Sequence, residues 1–318
     1  MALPKELSNA IDAYNTWIDA ESQKQQQANT ITETLYHYTN VVGMRGIFES
    51  ESIWFTDFRH LNDPSEIIHG IDMCHDVIRN LKTGADGRVA LFLDCLADMM
   101  SPTNFSRALE YFIGSFSRVR DDLGQWRAYA DNGRGVAIGF APHLFGIENM
   151  VDQKPDEVAF VNPVIYDVAQ VCNRHATAIE EAAEMFLGTA NAYPELLANK
   201  DIGISFMQDF ARAVIASPLI WNCLTSKHPA YAHEQEVRLV MLGLHDRLQP
   251  FIKKRTRGSE IVPYIPYKMA VRRAHSIGEI IVGPSASPDA EQAVRTMLKS
   301  LGIDHDIPIS RSLVPYRA

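Results

Sequence analysis

The chain has 318 residues, is 46% hydrophobic, and sets 39 acidic against 30 basic residues for a formal charge of −9. That length suffices for a large buried core, and the acidic average excludes a protein that coats nucleic acid through bulk charge. The sequence reads as cytoplasmic: no apolar run reaches transmembrane length, MALPKELSNAIDAY lacks a basic-then-apolar secretory build, and Cys74, Cys95, Cys172 and Cys223 are too widely spaced for CxxC chemistry.

Leu7, Ile11, Tyr14 and Ile18 make one stripe of an N-terminal helix over 4–30, ending in the polar stretch Glu21–Asn29. LYHYT at 35–39 predicts a strand. Asn40 then caps a helix with Val41, Met44, Ile47 and Phe48 on one face. SIWFTDF predicts a second strand, and Asn62-Asp63-Pro64 breaks it, because proline disfavours the helical region for the residue before it. Ser65–Lys82 resumes helical period through Ile67, Ile71, Cys74 and Ile78. Strands are expected at 111–117, 135–140 and 158–166, with a short helix or turn near 121–130. Residues 168–217 read as helical, divided at Pro194. HEQEVRLVML at 233–242 alternates as a strand, with Val237, Leu239 and Met241 on one face and Glu234, Glu236 and Arg238 on the other. The basic run Lys253–Arg257 reads as a solvated loop, 277–284 as an apolar strand and 288–302 as an amphipathic helix. The expected class is α+β: an N-terminal helical extension over 1–30, then a single domain over 31–318 with a helical insert at about 168–221.

Several residue sets carry chemistry. Strand alternation points His37 away from both Tyr36 and Tyr38, though a lone histidine is commonly a core residue. Glu234, Glu236 and Arg238 make either a solvent-facing charge pair or, on a central strand, a buried ionic group that is costly without a task. Trp126 and Tyr129, three apart, form a wall for a ring-shaped ligand or simply pack. Ser115 and Ser117 share one strand face and either line a cleft or bond within the sheet. GRGVAIG has the wrong glycine spacing for a dinucleotide loop, and His60, His69, Cys74 and His75 fit no zinc pattern, so no metal is expected. Residues 250–275 hold Lys253, Lys254, Arg255, Arg257, Lys268, Arg272 and Arg273 against Glu260 alone. That stretch is the one landing place in the sequence for a phosphate-bearing partner.

Taken in order, LYHYTN, IWFTDFRHLNDPSE, SFS, QWRAYADNGRGVAIGF and HEQEVRLV resemble the bacterial domain-of-unknown-function family numbered 2971, from about Leu35 to Gly283, with 168–221 poorly covered. That family is in turn similar to the ADP-ribosyltransferase superfamily of the His-Tyr-Glu type. The resemblance implies an ADP-ribosyltransferase-like mixed/antiparallel β core with helical insertions. It implies NAD as substrate, no metal, and an NAD-dependent ADP-ribosyltransferase or NAD glycohydrolase of bacterial toxin or phage-defence type. Glu236 would bond the ribose 2′-hydroxyl as the nicotinamide bond breaks, and Glu234 would orient or deprotonate the accepting nucleophile. His37, Tyr38, Thr39 and Ser115 would line the NAD surface, Trp126 or Tyr129 would stack on nicotinamide, and Arg238 would pair with Glu236 or pyrophosphate. The acceptor stays open between protein, nucleic acid and small molecule, with a phosphate-bearing one approaching Lys253–Arg257. An antitoxin or a second copy are the other expected partners, and a membrane is not. The alternative is a non-catalytic nucleotide- or nucleic-acid-sensing domain on the same scaffold.

Overall fold

The computed structural model describes residues 2–61, 65–105, 109–146, 159–303 and 305–317. The expected Asn62-Asp63-Pro64 break, and Val158 at the start of an expected strand, lie outside them. The strands are β1 Leu35–Thr39, β2 Ser52–Asp57, β3 Leu109–Ser117, β4 Val136–Phe140, β5 Phe160–Pro163, β6 Glu236–Leu244, β7 Lys253–Arg257, β8 Glu260–Lys268, β9 Ile277–Val282 and β10 Ile309–Arg311. The fold is α+β, with a mostly antiparallel sheet in the order β10-β9-β4-β1-β3-β2-β8-β7; β6 also pairs with β3, and β5 with β6. β9–β10 is a parallel pair.

The chain divides into two compact units. The first comprises Met1–Ala28, Asn62–Leu109 and Ile165–Ala230, so the N-terminal helix and the long helices after 168 fall together. Its helices Lys5–Ala28, Gly87–Met99, Val168–Ala192 and Lys200–Val214 meet through aromatic rings. Phe92 stacks on Phe186 at 4.6 Å, Phe186 on Phe206 at 5.5 Å, and Tyr14 meets Phe210 edge-on. The Tyr14 hydroxyl donates to the Ala178 carbonyl, which satisfies the polar end of a ring buried in this core.

The second unit, Asn29–Leu61, Glu110–Val164 and Tyr231–Ala318, contains the sheet. Alternation sorts its side chains. Leu35, Phe55, Phe112, Phe116, Ile138, Val237, Leu239, Ile265 and Ile280 share one continuous core. Tyr36, Tyr38, Ala137 and Ile281 face the other way and pack with Trp126. The Val41–Ser50 helix buries Met44, Ile47 and Phe48 on the first core, and the Asn40 side chain accepts from the Gly43 N–H at its start. At its other end Lys268 and Arg272 donate to the carbonyls of Ser50 and Phe48, where a helix leaves acceptors open.

Two sequence expectations are corrected in this unit. Lys253–Arg257 is not a loop: it is edge strand β7, joined to β8 through the left-handed Gly258 with Arg257 opposite Glu260. A run of cations suits a sheet edge because it blocks pairing with another chain. Nor is Glu234 part of a strand. It closes a 3-10 turn over Pro229–Glu234, Gln235 adopts a left-handed φ of 43°, and β6 starts at Glu236.

Candidate functional site

β3 is the hub of the second unit. On one of its edges Tyr36 of β1 lies opposite Ser117, while Thr56 and Asp57 of β2 lie opposite Ile113 and Phe112. The two strands thus take opposite ends of the same edge and leave a fork at Gly114–Phe116. Ser115, inside the fork, is exposed although Gly114 and Phe116 beside it are buried. On the other edge lies β6, and the Arg118 N–H donates to the Gln235 carbonyl there.

His37 occupies the fork. Its Nδ1 lies 3.0 Å from the Ser115 carbonyl, an acceptor that no strand takes there among the described residues. Packed protein around the ring, and then the Arg255 cation, hold the His37 pKa below the usual histidine value, outweighing the pull of the carbonyl. A neutral imidazole that donates from Nδ1 presents Nε2 as an acceptor. Tyr38, by contrast, is buried, and its hydroxyl donates to Val119 and accepts from Asp122 N–H. Thr39 ends β1, half-buried; its Oγ1 would sit 2.2 Å from a Cβ added at Gly43.

The two aromatic candidates separate. Trp126 is 0% exposed, its indole N–H donates to Asp121, and its ring meets Tyr38 edge-on at 4.9 Å. That is a core position with both polar and apolar needs met, so Trp126 forms no open wall. Tyr129, one helical turn on at the end of the Leu123–Tyr129 helix, is half-buried, and its hydroxyl lies 3.4 Å from Glu234 Oε1. The Glu234 carbonyl in turn accepts from Ser117 Oγ at 2.6 Å.

Glu236 and Arg238 share a face of β6, away from Val237 and Leu239. Arg238 donates to both carboxylate oxygens of Glu236, at 2.9 and 3.0 Å, with the side chains 2% and 7% exposed. Removing one member of such a buried pair costs about 3–5 kcal/mol, since the other charge stays behind. β1 and β6 flank β3, so their backbones are about 10 Å apart, two strand spacings. His37, Ser115, Tyr129, Glu234, Glu236 and Arg238 therefore gather around the last residues of β3. Trp126 and Tyr38 stand behind them in the core.

A family model described as "Protein of unknown function (DUF2971)" matches residues 125–239. The match takes in Tyr129, Glu234, Glu236 and Arg238, and leaves His37 and Ser115 outside it. Neither a curated protein nor a solved structure matches the chain.

One group near the fork escaped the sequence reading. Trp54 and Thr56 point to the face opposite Phe55, and Trp54 lies beside Tyr264 and beneath Arg255. The period of two in SIWFTDF was the available signal. Among the described residues no cluster of histidine, cysteine and carboxylate side chains is arranged to hold a metal ion, and no helix is long and apolar enough to cross a membrane.

Proposed function

We propose that the cluster around the end of β3 binds NAD and cleaves its nicotinamide–ribose bond, passing ADP-ribose to an acceptor or to water, on an ADP-ribosyltransferase-like scaffold. The observation that carries this reading is the forked edge of β3. It exposes a serine in the middle of a buried strand, sets a neutral histidine in the gap, and has a buried carboxylate one strand away.

NAD brings a nicotinamide that is already cationic and needs no general acid to leave. Cleavage builds positive charge on the ribose carbon, and a fixed carboxylate beside it stabilises that charge without reorganising. Arg238 grips both Glu236 oxygens, so the carboxylate holds one orientation. His37 Nε2 accepts a ribose hydroxyl, and the half-buried Tyr129 ring offers the face against which the pyridinium lies. Glu234, fixed through Tyr129 and Ser117, is the base closest to an incoming nucleophile.

Release of free nicotinamide from NAD tests the proposal. The wild type should release it, Glu236→Gln should lower the rate roughly 100-fold or more, and Tyr129→Ala should lower it while leaving Arg238 paired. No release by the wild type, or equal release by both variants, would refute it. The bidentate pairing of Glu236 favours one second reading, in which the ion pair serves the fold and the domain binds a nucleotide without turnover. Calorimetric binding of NAD or ADP-ribose with no nicotinamide formed would establish that reading instead.

A further inference from the structure

The face of β2, β8 and β7 opposite the core carries an arrangement that the NAD reading does not use. Trp54 is 44% exposed on β2, and its ring lies 4.4 Å from that of Tyr264 on β8. The Arg255 guanidinium sits over both rings, 5.3 Å from Trp54 and 5.9 Å from Tyr264, and Nη2 donates to Thr56 Oγ1. Arg255 Nε is buried without a hydrogen-bond partner among the described residues. An indole exposed beside a clamped arginine has one face available for a flat ring.

Register extends the group. Lys253 pairs opposite Tyr264 and Arg255 opposite Val262, so both cations share the face of Trp54 and Tyr264, while Lys254 points to the other side. Lys253 and Arg255 are two residues apart, about 6.8 Å along an antiparallel strand, on the order of the spacing of successive phosphates in an extended single strand. Arg257 is tied to Glu260, and Lys268 and Arg272 to helix carbonyls. The basic stretch thus resolves into two cations on an aromatic shelf at the sheet's edge.

We propose that this shelf binds single-stranded nucleic acid, with a base on the open face of Trp54 and neighbouring phosphates on Lys253 and Arg255. A sequence-tolerant stacking platform flanked by cations is the chemistry that recognises such a strand, and its local positive charge stands in a protein of net −9. The inference does not depend on NAD cleavage.

Fluorescence anisotropy with a labelled oligo(U) or oligo(dT) twelve-mer at low salt tests it. Binding should weaken steeply with salt. Trp54→Ala should weaken it about tenfold or more, and Trp54→Phe should restore most of the affinity. Lys253→Gln with Arg255→Gln should reduce the salt slope, and Lys254→Gln should leave it unchanged. No binding by the wild type, an unchanged Trp54→Ala, equal affinity for a duplex, or displacement by equimolar AMP would each overturn the proposal. Matched thermal melts of the variants keep a folding defect from counting as support.

Discussion

A neutral His37 has a kinetic consequence. Because its pKa lies below the ordinary histidine value, through burial and then Arg255, Nε2 remains an acceptor as pH falls through 6.5. Nicotinamide release should therefore be flat from pH 8 down past 6.5 and fall only below the usual histidine range; a midpoint at or above 6.5 would place the proton elsewhere. His37→Ala should slow release roughly tenfold, the scale of one lost hydrogen bond to a charged transition state. Gly114 is the other residue on which the fork depends, since an added Cβ would lie 2.3 Å from the Phe55 ring. Gly114→Ala should cost about 1–3 kcal/mol by overpacking, visible as a lower urea midpoint at unchanged slope.

Elements that obey one local rule were legible in the sequence, and those that break one were not. The 41–50 helix follows from Asn40 and a single apolar face, and LYHYT from its alternation. Glu234 was placed on the strand face of Glu236 because period two was carried through Gln235, whose left-handed backbone ends it. β8 went unread because Pro263 and Pro266 look like strand breakers, yet it pairs on both sides, with β2 and β7. The 168–192 helix buries His175 completely, with neither ring nitrogen in hydrogen-bond geometry, although the nearby Gly70 backbone favours its proton weakly. Burial first, and then Arg174, push its pKa down to about 3. The unfolded chain takes up a proton near pH 6.5 that the folded chain refuses, so stability is full above 6.5. It should fall by about 1.4 kcal/mol per pH unit below that. Chemical denaturation at pH 7, 6 and 5 should show this slope for the wild type and a shallower one for His175→Gln; parallel slopes would contradict it.

At the scale of the molecule, the candidate site follows from which strands share β3, and that adjacency is not local in sequence. His37, Ser115 and Glu236 stand on three strands separated by long stretches of chain, so residue types and order suggested a set while only topology brings the set together. The same topology divides the aromatic pair, sending Trp126 into the core and leaving Tyr129 beside Glu234. It also turns a basic stretch into an edge strand with an aromatic shelf. The most direct test of the central claim is a crystal structure of the protein with a non-hydrolysable NAD analogue. The account predicts the nicotinamide ring against Tyr129, with ribose hydroxyls between His37 Nε2 and the Glu236 carboxylate. An analogue bound away from the end of β3, or stacked on Trp126, would contradict it.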